Sequence, residues 1–221
     1  MSGQVGWIVV IAVLALPIVL GLTREVRVLR RVTRADRAMR ALAATSGWEL
    51  EAPAASILRD RYLYHFPWVV DAPIVRVLNG SHDGHEVIVG RARILEQRRG
   101  LHWFSVSFRL PREYPILRLE RGWSGPKMGI TVPGGALYAP IASDVHAITG
   151  PVESARIPER LLAVGAPAVS LVGDGIMFLY HPMPDVPDLP DLIDRLGTLL
   201  PDVLAVAELL RKDPAAPEDA S

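Results

Sequence analysis

Apolar and polar positions fall into three regimes along the chain. Val5 to Leu22 reads VGWIVVIAVLALPIVLGL, with no charged residue. As a helix this run would be about 27 Å long, close to the roughly 30 Å of a bilayer core. Trp7 stands near one end, where an indole suits the interface. Pro17 is a residue that membrane helices tolerate. The expectation is an uncleaved transmembrane anchor over residues 1–22. A cleaved signal peptide fits less well, because MSGQ carries no charged side chain and Leu20-Gly21-Leu22 is a poor cleavage site.

In the second regime, Arg24, Arg27, Arg30, Arg31, Arg34, Arg37 and Arg40 recur mostly at steps of three and four. Val26, Leu29 and Val32, then Ala38 and Leu42, interleave as an apolar stripe. That pattern predicts an amphipathic helix over 23–45. Seven arginines stand against Glu25 and Asp36, so the segment is net +5 (7 − 2). The positive-inside rule then puts this side in the cytoplasm and the N-terminus outside. Arg24, Arg27, Arg30, Arg31 and Arg34 are the candidates for anionic lipid headgroups, at about 1 kcal/mol for each basic residue near a membrane surface. Setting topology and solvating a helix explain the same arginines without a specific lipid.

From Ser46 short apolar runs are punctuated by Gly and Pro. Residues 53–63 suit a short helix. Ile74–Leu78 and Val87–Leu95 read as strands. Phe104, Val106, Phe108 and Leu110 alternate with Trp103, Ser105, Ser107 and Arg109, which predicts a half-buried strand over 101–110. Ile116–Glu120 and Met128–Val132 read as weaker strands, and Pro158–Val164 as a short helix. Val169–Val172 and Ile176–Tyr180 flank Gly173-Asp174-Gly175, which reads as a hairpin. Leu189, Leu192, Ile193, Leu196, Leu200, Val203, Leu204, Ala207 and Leu210 form one helical apolar face. Asp188 is its candidate N-cap, Pro190 sits in the first turn, and Pro201 should kink or split it. The fold class expected is α+β: a transmembrane helix, a basic juxtamembrane helix, then an antiparallel sheet domain over 46–211 closed by a C-terminal amphipathic helix. The Pro- and Ala-rich tail 212–221 is expected to be disordered.

Composition narrows the function. Half of the 221 residues are hydrophobic and 22% charged, enough for a folded core. The formal net charge of +0 argues against a general nucleic-acid binder. Among the arginines of 23–45 no aromatic residue interleaves to stack on bases. Cysteine is absent, which removes disulfide and thiolate chemistry. Of the 24 basic residues only Lys127 and Lys212 are lysines, a bias typical of GC-rich bacteria.

Candidate chemistry is sparse. Asn79-Gly-Ser-His82-Asp83-Gly84-His85 places two histidines around an Asp-Gly pair. A zinc site needs three or four ligands. His82, His85 and Asp83 could supply three, yet a tight turn accounts for the stretch without a metal. Ser124 lies in Gly-Trp-Ser-Gly-Pro-Lys, which lacks the spacing of a nucleophile elbow and the companions of an S-x-x-K enzyme. Pro133-Gly134-Gly135 has neither the lysine nor the hydroxyl residue of a phosphate loop. Residues 122–140 are a candidate binding loop through Trp123, Met128, Leu137 and Tyr138. No catalytic residue, metal ligand or cofactor is assigned.

The apolar span, the arginine helix, SGWEL (Ser46–Leu50), VLNGSHDGHEVIV and GDGIMFLYH followed by a leucine helix resemble uncharacterised single-span membrane-anchored proteins of actinobacteria. The resemblance implies a membrane address and carries no activity or catalytic residue. The reading is a membrane-anchored, non-catalytic binding or scaffold module, with the bilayer, anionic headgroups and an unknown protein as partners and no nucleic acid. The alternative is a membrane-tethered hydrolase using His82, His85 or Ser124.

Overall fold

The computed structural model describes residues 2–51, 65, 74–96, 99–121, 130–131, 137–165, 167–181, 183–186 and 188–211, without the side chains of 2–14, 17, 18, 24, 94–96, 99–101, 121, 130, 131, 137 and 139. In chain order its elements are α1 (Ser2–Ser46), β1 (Glu49–Glu51), β2 (Ile74–His82), β3 (His85–Glu96), β4 (Arg99–Arg121), β5 (Ile130–Thr131), β6 (Leu137–Ala142), α2 (Val145–Ser154), α3 (Ile157–Ala163), β7 (Ala168–Tyr180), α4 (Leu189–Gly197) and α5 (Leu200–Arg211). The helix expected over 53–63, most of the 122–140 loop and the tail 212–221 lie outside the described residues.

The α+β class with an antiparallel sheet is as expected. The transmembrane part is not. Among the described residues no helix is long and apolar enough to cross a membrane. The expected span begins in side chains outside the described residues. From Ala15 onward, a stretch of spanning length takes in Arg24, Glu25, Arg27, Arg30 and Arg31, each costly in hydrocarbon. The anchor is therefore withdrawn. The single-pass location, with its outside N-terminus and cytoplasmic domain, goes with it, since nothing remains to set an orientation. One uninterrupted helix also joins the two segments separated above at residue 22. Its docked stripe is Ala35, Met39 and Leu42, all buried, while Val26 and Leu29 are exposed.

Strand β4 organises the sheet. The strand order is β1-β2-β3-β4-β6-β5, and β7 also pairs with β4. The first half of β4 lies between β3 and β7, and its second half between β6 and β7. The two strands expected over 101–110 and 116–120 are thus one bent strand. The bend lies where the β4–β7 register shifts, between Arg109 and Leu117. Pro111 and Pro115, which have no N–H to donate, fall inside this bulge. Arg112 braces it, with its guanidinium 5.1 Å from the Tyr114 ring centroid and Nη2 donating to Glu208 of α5 at 2.6 Å.

The Gly173-Asp174-Gly175 reading is likewise corrected. It is not a hairpin but the bend of the continuous strand β7, with Gly175 opposite Arg109 and Gly173 opposite Tyr114. Gly173 has φ 58°, which glycine adopts without strain.

Both faces of the sheet are covered. One holds Phe104, Val106, Phe108, Phe178 and Tyr180 under the helices. The other holds Ile74, Val77, Ile88, Ala92, Trp103, Met177 and Leu179 in a second cluster. Strand β4 is therefore buried on both sides, where alternation predicted one solvated face; Ser105 and Ser107 are buried too.

The C-terminal helix splits as the sequence predicts, with α5 beginning at Leu200-Pro201. Asp188 caps α4 by accepting from the Asp191 backbone N–H at 3.1 Å. Replacing Asp188 with alanine should lower stability by about 1 kcal/mol. Urea unfolding at constant m-value measures it, and an unchanged midpoint would remove the cap from the energetics.

Candidate functional site

The SHDGH stretch is a hairpin tip. Asp83 (φ 48°) and Gly84 (φ 79°) form a two-residue turn with both φ positive, the arrangement that suits the twist of hairpin strands. His82 and His85 face each other as the closing pair. Their rings serve different neighbours. His82 Nε2 is 2.6 Å from Asp194 Oδ1 on α4, and His85 Nδ1 is 3.2 Å from the Arg109 carbonyl oxygen. Among the described residues no group of three His, Asp or Glu side chains is placed to hold a metal.

Ser124 lies outside the described residues. A serine does meet a histidine elsewhere: Ser170 Oγ lies 3.3 Å from His65 Nδ1. This pair lacks what a nucleophile needs. Ser170 is fully buried, its hydroxyl donates to the His65 carbonyl oxygen at 2.9 Å, and Arg118 Nε donates to it at 3.3 Å. The hydroxyl proton already has a backbone acceptor, so the ring has no proton to abstract.

Of the candidate binding loop, Trp123 and Met128 lie outside the described residues, as does the Leu137 side chain. Tyr138 is buried, with its hydroxyl donating to the Pro167 carbonyl at 3.4 Å. Of the headgroup candidates, Arg27 and Arg30 are exposed, and the Arg24 side chain lies outside the described residues. Arg31 donates to the Met183 carbonyl at 3.2 Å, and Arg34 pairs with Asp185 at 2.7 Å. These two tie α1 to the segment ahead of α4.

A charge cluster joins α1 to the sheet, and no motif marks it. Asp36 accepts from Arg91 twice, from Nε at 2.8 Å and Nη2 at 3.1 Å. Arg91 is only 6% exposed in its side chain. Arg76, directly across the β2–β3 ladder from Arg91, brings Nε to 3.5 Å from the same carboxylate. His102 faces Arg93 across the β3–β4 ladder. Its Nδ1 is buried and finds no hydrogen-bond partner among the described residues. One signal for this cluster was readable: Val87, Val89 and Arg91 share a strand face by alternation, so a core-facing arginine required an acid.

Burial holds the His102 pKa below the ordinary imidazole value, Arg91 and Arg93 lower it further, and Asp36 opposes them. A depressed pKa means the unfolded chain binds the proton more readily. The His102 contribution is therefore complete above the unfolded value of 6.5 and is lost as pH falls through the folded value. Stability in phosphate-free buffer should decline below pH 6.5, and His102→Gln should flatten that decline. Urea midpoints from pH 7.5 down to about 5 test it, and parallel profiles for both proteins would refute it.

The fold is similar to that of the mycobacterial trehalose monomycolate transport factor A, TtfA, solved by crystallography. The TM-score is 0.50 at 15% sequence identity, over 82% of this chain and 97% of that one. At this identity the likeness is one of fold. It agrees with the actinobacterial resemblance only in that this neighbour is itself an actinobacterial protein. No protein-family model matches the chain, and no curated protein sequence does.

Proposed function

We propose that this protein is a non-catalytic accessory module that works by holding an acidic amphipathic helix of a partner protein in the service of a transport process. One observation carries the partner. Ala15, Val19, Leu22, Val26 and Leu29 succeed one another at steps of four, three, four and three along α1. Val19, Leu22, Val26 and Leu29 are exposed. That spacing is the seam of a two-helix coiled coil, where alternate steps of three and four keep apolar side chains facing a partner helix. Charge selects the partner's sign. Arg30 borders the seam on one side and Glu25 on the other, so the sign comes from the wider segment: the net +5 of 24–40 disfavours a second parallel copy of the same helix and favours an acidic one. The transport role is supported by the fold shared with a transport factor. The non-catalytic reading is supported by the hydrogen bonds that already occupy Ser170 and His85.

Because the chain has no cysteine, Leu22→Cys gives a single thiol on the seam. Crosslinking in cells with a short heterobifunctional reagent, thiol-reactive at one end and photoreactive at the other, should give one adduct of discrete mass containing a second protein. Asp191→Cys, exposed on α4, should not give it. An adduct of two copies of this chain, or none specific to position 22, would refute the proposal.

A further inference from the structure

The charged corner beneath α1 has an imbalance that its own residues do not resolve. Two guanidinium groups, those of Arg76 and Arg91, share one carboxylate, Asp36, and a third, that of Arg93, stands opposite His102 in the next ladder. Arg91 takes up that carboxylate with two hydrogen bonds. Arg76 stands directly opposite Arg91 in the ladder, and like charges so placed repel. Its Nε is buried and makes no hydrogen bond among the described residues, although Asp36 lies 3.5 Å away. His102 adds a second buried nitrogen, Nδ1, also without a partner among the described residues. Two unused donor positions, on β2 and β4 to either side of β3, within an excess of positive charge, describe a receptor for an anion.

We propose that this corner binds a phosphate group, with Arg76 and Arg93 as its cationic ligands, His102 Nδ1–H as a further donor, and the Asp36–Arg91 pair as the brace that aims them. Guanidinium groups match phosphate oxygens in shape and hydrogen-bond direction. A tetrahedral anion also offers oxygens to donors arriving from β2, β3 and β4 together, which a planar carboxylate does less well. The acceptor is a free phosphate or a phosphate ester on a lipid headgroup, since both present the same oxygens. This site is separate from the exposed seam of α1, so it stands whether or not that seam binds a helix.

The test uses the full chain and two probes. Inorganic phosphate is titrated calorimetrically, and phosphatidylcholine vesicles with and without phosphatidic acid are co-sedimented with the protein. Saturable binding is expected for at least one probe. Arg76→Gln should weaken it tenfold or more and Arg93→Gln several-fold, while Arg195→Gln, at an exposed position of α4, should leave it unchanged. Arg93 is exposed, so its variant keeps the test valid if Arg76→Gln fails to fold. Binding of inorganic phosphate alone identifies a free anion as the ligand. Binding of acidic vesicles alone, weakened several-fold in Arg93→Gln, identifies a headgroup. No saturable binding of either probe overturns the proposal, as does equal weakening by Arg195→Gln, which would mean general charge attraction.

Discussion

Asp36→Ala is expected to destabilise the protein by about 3–5 kcal/mol, because it leaves the Arg91 guanidinium buried without its counter-ion. Arg91 makes both of its hydrogen bonds to Asp36 through the side of its fork that faces α1. Removing the acid also leaves two arginines face to face across β2 and β3. The loss should spread to α1, since Ala35 and Met39 are buried against the domain on either side of Asp36. The control is the double variant Asp36→Ala/Arg91→Met, with the charge removed and the volume kept. Buried ion pairs exchanged for apolar residues are often near neutral, so most of the lost stability should return. A coupling energy of about 2 kcal/mol or more in the resulting cycle is the signature of the pair. Urea unfolding in phosphate-free buffer gives all four values. If Asp36→Ala lies within about 0.5 kcal/mol of the parent, Arg91 is solvated in the working molecule and the docking of α1 rests on its apolar stripe alone.

The parts of the fold read correctly from sequence are those with local causes. The Asp83-Gly84 turn, the Asp188 cap and the break at Pro201 each depend on a few neighbouring residues. Errors arose where a local signal has two tertiary outcomes. Gly173-Asp174-Gly175 suits a reversal of direction. It equally suits a bend, and the bend occurs because β4 curves alongside at Pro111 and Pro115. The polar face of 103–109 looked solvated because two of its members are serines, yet a second apolar cluster lies beneath Trp103. Asp36 entered the sequence reading only as a charge to subtract from the arginines. Its role depends on Arg91, 55 residues away, and no periodicity links such positions. The apolar run of α1 had the length of a span but not, within the described residues, the composition of one.

Gly80→Ala is expected to be the second most damaging change, at about 2–4 kcal/mol, although alanine is ordinarily the better strand residue. Gly80 lies in β2 opposite Val87, and its Cα faces the indole of Trp48, which enters just ahead of β1. A Cβ at position 80 would overlap the ring at Cδ2, Cε2 and Cγ. These are the fused body of the indole and not a flexible tip, so the ring as a whole must leave. Trp48 is 9% exposed and belongs to the main core. Displacing it forfeits part of the roughly 3–5 kcal/mol that a buried tryptophan contributes. The contact joins two of the stretches behind the sequence resemblance, SGWEL and VLNGSHDGHEVIV, and gives the tryptophan of one a physical reason for the glycine of the other. The decisive comparison is made in a Trp48→Ala background. That substitution is itself costly, but it removes the obstacle. There Gly80→Ala should become neutral or slightly stabilising, because only the loss of backbone freedom in the unfolded chain remains. Such a reversal of sign assigns the whole penalty to the Trp48–Gly80 contact. An equal penalty in both backgrounds would place its cause in the β2 backbone instead.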